Sequence, residues 1–404
     1  MDENNTLNLE LEVLKSILDY KVNVIDSSTR FWMIRTKKGY FYNEFIAQGF
    51  VALAWNIIDS STSITASNIE SVKDLILLRY SEIKRPTTVI NKCKSFINEI
   101  KNGDYIVIPN AGSELITIAI AGDYYEETSK TYELEKEVVS RIETGGVIIN
   151  DVSCPYKKRR EITPLITLKT SNIDGKLYKA ISNYHGISNF DDYWRNILGE
   201  LYNSYCYKGN MNIVYHIKRT DPIGPRQLSQ LLLNSIECWR SIFDEEKISV
   251  NVNVASPGPV DFFIADTLPQ IQQSAWVLAG ITIGTVSVLK PELIPAFIKN
   301  LFSLPAEISR EYISTKREAL QKEKEEKLLP LEVEQKQLEI LEKQLDILEK
   351  LKGAGVAPET ITDSATALAS TFGYLQIENV KANTEIPEFT YDTMDDEDFS
   401  EEEQ

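Results

Sequence analysis

Short runs of β-branched and aromatic residues alternate with amphipathic segments throughout residues 29–170, and this alternation limits the fold more than any other feature. FWMIRT (31–36), FVALAW (50–55), YIVIP (105–109) and LITIAIAG (115–122) read as strands. NEFIAQ between the first two reads as a short helix. Residues 68–80 and 87–101 place their apolar side chains at helical spacing. Asn102-Gly103-Asp104 is a turn signal before the third strand. This compact pattern reads as an α+β unit, a small curved or barrel-like sheet with helices at its side.

The rest of the chain divides by composition. Residues 1–28 read as a leading helix, with Leu7, Leu11, Leu14, Ile17 and Leu18 on one face. Residues 171–265 read as a second α+β unit: helices over 191–205 and 225–243, strands over 211–220 and 248–258, the last ending in a Ser-Pro-Gly turn. Ala275–Leu289 carries no charge over 15 residues, and the apolar segment 266–304 reads as a core helix or hairpin, or as a re-entrant membrane segment; a spanning helix needs about 20 such residues. Residues 305–380 read as a charged helical region. Leu331, Leu338, Leu341, Leu345 and Leu348 make a short heptad seam within 331–352, able to pair with a second copy or pack within the chain. Residues 359–375 read as a last short helix. Residues 381–404 read as an acidic, disordered tail.

Charge bears on partners. The net charge is −17, and ten acids with no Lys or Arg fall between Glu385 and Gln404, so the body is only mildly acidic. A generally basic nucleic-acid coat is excluded, whereas a local basic patch is not. The four cysteines, Cys93, Cys154, Cys206 and Cys238, have no CxxC spacing and read as reduced thiols in a cytoplasmic chain. His185 and His216 are the two histidines. No P-loop, GxGxxG, HExxH or GxSxG motif occurs, no nuclease core is recognised, and no metal, cofactor or catalytic residue is assigned.

Two sets of residues have the chemistry of a binding site. Trp32, Arg35, Trp55, Asn91, Asn110 and Tyr124 offer flat aromatic faces and edge donors and acceptors, the functions that hold a planar base; tryptophans at strand ends also serve as core or rim residues. Lys157, Lys158, Arg159 and Arg160 are four consecutive cations that would anchor phosphates from a loop, or simply be solvated there.

The order of these motifs resembles the PUA-like, EVE-related domain at the N-terminus of Mrr-type restriction proteins. Trp32, Arg35, Gly39, Phe45, Gly49, Val51, Ala52 and Trp55 are similar to its opening strand–helix–strand. Asn91, the run Phe96–Asp104, the close at Gly122, Asp123 and Tyr124, and the basic stretch Lys158–Leu165 follow in the family's order. Ala54 stands where the family commonly has Gly, and the loop Asn110–Glu114 has no basic residue. The resemblance implies a domain that accepts a base, often a modified one flipped from DNA, in an aromatic pocket. Ser256, Pro257 and Gly258, followed by an apolar patch and a charged helix, resemble modules of bacterial conflict and antiphage systems. The expected protein therefore reads a modified base in DNA, or a nucleotide, and couples this to self-assembly through 331–352 or to an effector protein. A membrane-acting assembly and an unrecognised nuclease are the alternatives, and a membrane partner is not favoured.

Overall fold

A computed structural model of the chain describes residues 23–62, 67–147, 149, 152–184, 186–240, 248–252, 258–264, 291–296 and 358–378, with positions 299, 314, 317 and 318. It is a mixed α+β structure built on two six-stranded sheets, the first curled into a half-barrel. The heptad seam 331–352, the tail 381–404, most of the apolar stretch 275–302, and Ser256 and Pro257 of the turn lie outside the described residues. Among the described residues no helix is long and apolar enough to cross a membrane.

The first sheet contains β2 (Phe31–Ile34), β3 (Phe50–Leu53), β4 (Tyr105–Pro109), β5 (Leu115–Glu126), β6 (Lys158–Lys169) and β7 (Ile187–Asn189). They lie in the order β3-β6-β5-β4-β2-β7, antiparallel except for the parallel pair β2–β4. Each of β2, β3 and β4 is buried along its whole length, because both faces of the sheet are covered. Alternate side chains then serve different cores. Trp32, Ile34, Ile106 and Ile108 join the core packed by α1 (Tyr42–Gln48), α2 (Ile69–Arg79), α3 (Pro86–Lys94, continued by a π-helical turn over Ser95–Glu99) and α4 (Tyr132–Glu143). Phe31, Met33, Tyr105 and Val107 face the other way, onto α5 (Gly175–Asn183) and α6 (Trp194–Leu201).

The second sheet also packs into that latter core, through Tyr205, Tyr207 and Val214. Its strands are β1 (Asn23–Val24), β8 (Ser204–Tyr207), β9 (Asn210–Ile217), β10 (Ile248–Val252), β11 (Gly258–Ile264) and β12 (Ile377–Glu378). α7 (Pro225–Arg240) and α8 (Pro358–Leu375) pack on each other, and α8 reaches the second sheet. Phe372 of α8 sits edge-on to Tyr215 at 4.8 Å between ring centres, so a helix more than a hundred residues downstream closes this unit.

Three expectations change. Asn23–Val24 form a strand parallel to Tyr205–Cys206, so the leading helix does not run to residue 28. Asp26 ends that strand by accepting the N–H of Ser28 at 2.7 Å. The helix expected over 191–205 stops at Leu201, and Ser204 begins β8, which the aromatic run Tyr205-Cys206-Tyr207 supports. Ile187–Asn189, beyond the boundary expected at residue 170, complete the edge of the first sheet.

Candidate functional site

The four cations expected on a loop are mostly inside the protein. Lys158, Arg159 and Arg160 open β6, which is paired on both sides, and all three are buried. A buried charge needs acceptors, and here backbone carbonyls supply them. The Lys158 ammonium, 0% exposed, donates to the carbonyls of Trp55 and Ile58, both at 2.7 Å. Arg159 donates to the carbonyls of Tyr156 and Cys154 and lies 4.2 Å over the Phe50 ring. Arg160 donates to Gly122 at 2.7 Å and to Phe96, 5.9 Å over Tyr124. Lys157 alone is half-buried, and its ammonium lies 2.6 Å from Asp59 and 3.3 Å from Glu126. The expected phosphate anchor is thus a strand end whose three buried cations donate to backbone carbonyls, with Arg160 Nε left without a hydrogen bond.

What these cations build is a turn. Trp55 follows β3 in the left-handed region, at φ 67°, a conformation that costs a non-glycine residue free energy and persists only when its surroundings impose it. Glu135, buried on α4, accepts the N–H of Trp55 at 2.7 Å with one oxygen and that of Asn56 at 2.8 Å with the other. Tyr80 donates its hydroxyl to Glu135 at 2.8 Å. The Asn56 amide donates to the carbonyls of Thr131 and Pro155 and accepts the N–H of Lys157. Glu135 of α4 and Lys158 of β6 thereby fix the backbone of residues 55–58, and Trp55 stays partly exposed.

The turn's far end continues into an acidic, aromatic patch. Glu126 accepts from the Tyr124 hydroxyl at 2.7 Å and from the N–H of Ser60 at 2.7 Å. Although burial raises the Asp59 pKa, hydrogen bonds from Lys157, Ser61 and Thr62 take it down to about 2. Glu126 is lowered likewise, its burial outweighed by Ser60, Tyr124 and Lys157. Burial and then Glu126 push the Tyr124 hydroxyl up, so it stays a neutral donor. Asp59 and Glu126 against Lys157 leave one negative charge beside the partly exposed Tyr124.

The other expected site residues lie elsewhere. Trp32 is in the core, its indole N–H donating to Asp104 at 3.0 Å, and is unavailable for stacking on a ligand. Arg35 donates to Ser113 at 2.7 Å and to the carbonyls of Ile181 and Tyr184 at the C-terminal end of α5. That position suits a cation, since the helix end carries partial negative charge. Arg35 therefore ties α5 to the first sheet. Asn110 shares its loop, accepting the N–H of Leu115 at 2.9 Å. Asn91 is exposed on α3. Of the six residues expected at one site, Trp55 lies on this turn and Tyr124 is linked to the turn's far end through Glu126 and the N–H of Ser60.

Asn56, Asp59, Tyr80, Glu126 and Glu135 were not legible as site residues. Glu135 sits in Tyr-Glu-Leu-Glu-Lys-Glu, an ordinary charged helix start, and nothing local marks it. Among the described residues no group of His, Cys, Asp and Glu is placed to hold a metal ion. Burial raises the Cys93 thiol to about 11 and Cys154 further, so neither is a nucleophile at neutral pH. His185 lies outside the described residues.

A family model described as a domain of unknown function, DUF8426, matches residues 32–139, about a quarter of the chain. The matched stretch contains Trp55, Tyr80, Tyr124 and Glu135 but stops before β6 and its Lys158. Neither the comparison with curated proteins nor that with solved structures gave a match.

Proposed function

We propose that residues 29–170 form a PUA-like nucleobase-binding module in which Trp55 is the stacking platform. One observation carries the reading. A partly exposed Trp55 is held on a left-handed backbone by a buried carboxylate, on a turn whose far end carries Asp59 and the Glu126–Tyr124 pair. A rigid aromatic face gives stacking at little entropic cost. Asp59 and Glu126 add acceptors only, which suits a base with an exocyclic amine, cytosine or adenine. The resemblance to Mrr-type proteins supports a modified base as the target and an antiphage or restriction role, with the C-terminal helices coupling recognition to assembly or to an effector protein.

The spent cations refine the reading. With Lys158, Arg159 and Arg160 committed to carbonyls, the module neutralises few phosphates. Each phosphate contact on duplex DNA contributes about −0.9 to the salt slope, so a shallow slope is expected, and the base contributes most of the affinity. The test is a titration of the purified chain against matched duplexes carrying plain or modified cytosine, and against the corresponding nucleotides, at two salt concentrations. Selective binding with a shallow salt slope, lost in a folded Trp55→Ala variant, is the expected result. Selectivity that survives Trp55→Ala overturns the assignment.

A further inference from the structure

Two consecutive backbone N–H groups, those of Trp55 and Asn56, are taken by a side chain instead of by the sheet. Each goes to one oxygen of a single carboxylate, Glu135, which also accepts the hydroxyl of Tyr80. The opposite side of the turn is closed by Lys158, whose ammonium takes the carbonyls of Trp55 and Ile58. Glu135 and Lys158 are buried and reach the turn from α4 and β6, far apart in the chain. A fully satisfied buried network admits one arrangement, because any alternative backbone angle strands a donor away from water. The strained φ of Trp55 is the mark of that imposition.

We propose that Glu135 is the positioning residue of Trp55: by collecting the N–H groups of Trp55 and Asn56 it fixes the direction in which the indole stands. Only the consequence for binding rests on the nucleobase reading; the orientation itself is a property of the free protein. Gln at this position is nearly isosteric but offers one acceptor oxygen to three donors, the Trp55 and Asn56 N–H groups and the Tyr80 O–H. One or more must then lose its partner, and the turn gains access to other conformations.

The experiment uses the full chain labelled with 5-fluorotryptophan, with the Trp55 signal assigned through Trp55→Phe. The expected result for Glu135→Gln is a shifted, broadened or doubled Trp55 fluorine resonance, with the Trp32 resonance unchanged. Affinity for the preferred base should fall at least about tenfold, the loss expected when charged hydrogen bonds go. Ile197→Val, in the core shared by α6 and the second sheet, is the control for loss of stability alone and should leave the Trp55 resonance in place. Should Glu135→Gln not fold, Tyr80→Phe opens the same network from its other end and should move the same resonance. A Trp55 resonance in Glu135→Gln that coincides with wild type overturns the proposal, as does an equal shift in Ile197→Val. If wild type binds no base and the resonance still moves, the positioning role stands and the nucleobase reading falls.

Discussion

Lys157 and Lys158 are neighbours with the same side chain, yet their replacement by Met should differ sharply. Lys158→Met removes an ammonium that is 0% exposed and donates to two carbonyls. The Trp55 carbonyl keeps the Ile58 N–H at 3.0 Å, but the Ile58 carbonyl loses the ammonium. A buried acceptor left without a donor costs about 1–3 kcal/mol. Glu135, buried nearby, also loses a cation that interacts with it. Two hydrogen bonds from a charged group go, each contributing about 1.5–3 kcal/mol. Met fills much of the space and relieves the burial that lowers the Lys158 pKa, which argues for the lower end, about 3 kcal/mol. At roughly 2–4 °C per kcal/mol for a domain of this size, the melting temperature should fall by on the order of 10 °C. Lys157→Met breaks a partly exposed pair and should cost less than about 1 kcal/mol. Differential scanning calorimetry of the two variants beside wild type decides the matter. A Lys158→Met protein as stable as wild type would refute the reasoning, because the turn would then hold without its cation.

Other consequences follow from the same geometry. Trp32→Phe loses the bond to Asp104 and should cost about 1–2 kcal/mol in urea melts without altering base selectivity, since that indole is core. Gly39→Ala should destabilise by more than about 2 kcal/mol: the residue sits at φ 90° and an added Cβ would overlap the Ala111 backbone. In a comparison of Trp55→Gly with Trp55→Ala, the glycine variant should be the more stable by about 1 kcal/mol, because only glycine is at ease at that φ. Burial, and then Lys218, lower the His216 pKa to about 4 despite its bond to the Gly199 carbonyl. The unfolded state, with a His pKa near 6.5, therefore binds more protons between those values, and stability is lost as pH falls through that window. About 2 kcal/mol should go between pH 7 and pH 5, and denaturant melts of His216→Gln should show correspondingly less of this loss.

Much of the architecture is written in local pattern. The alternation in FWMI and YIVIP, with every position apolar, already implies strands covered on both faces, and β2 and β4 feed two cores in that way. The amphipathic spacing of residues 68–80 and 87–101 places α2 and α3. Where local pattern is ambiguous, tertiary contacts decide: the aromatic run after Leu201 suits helix or strand, and its pairing with β9 makes it strand. Of the site, the sequence marks Trp55 and Tyr124 by their chemistry but cannot rank them against Trp32, whose indole differs only in having Asp104 to bond and a core to enter.

The four cations at 157–160 draw the line between the two levels. By itself the sequence determined an α+β chain with three aromatic candidates, a basic run and no recognisable catalytic motif. Only the tertiary structure decided that three of those cations are internal. Their partners are carbonyls of Cys154 and Tyr156 close by, of Phe96 and Gly122 further back, and of Trp55 and Ile58 about a hundred residues away. A charge seeks phosphate or carbonyl according to what the fold brings within hydrogen-bonding distance, and that distance is set by sheet pairing, which no run of four residues contains.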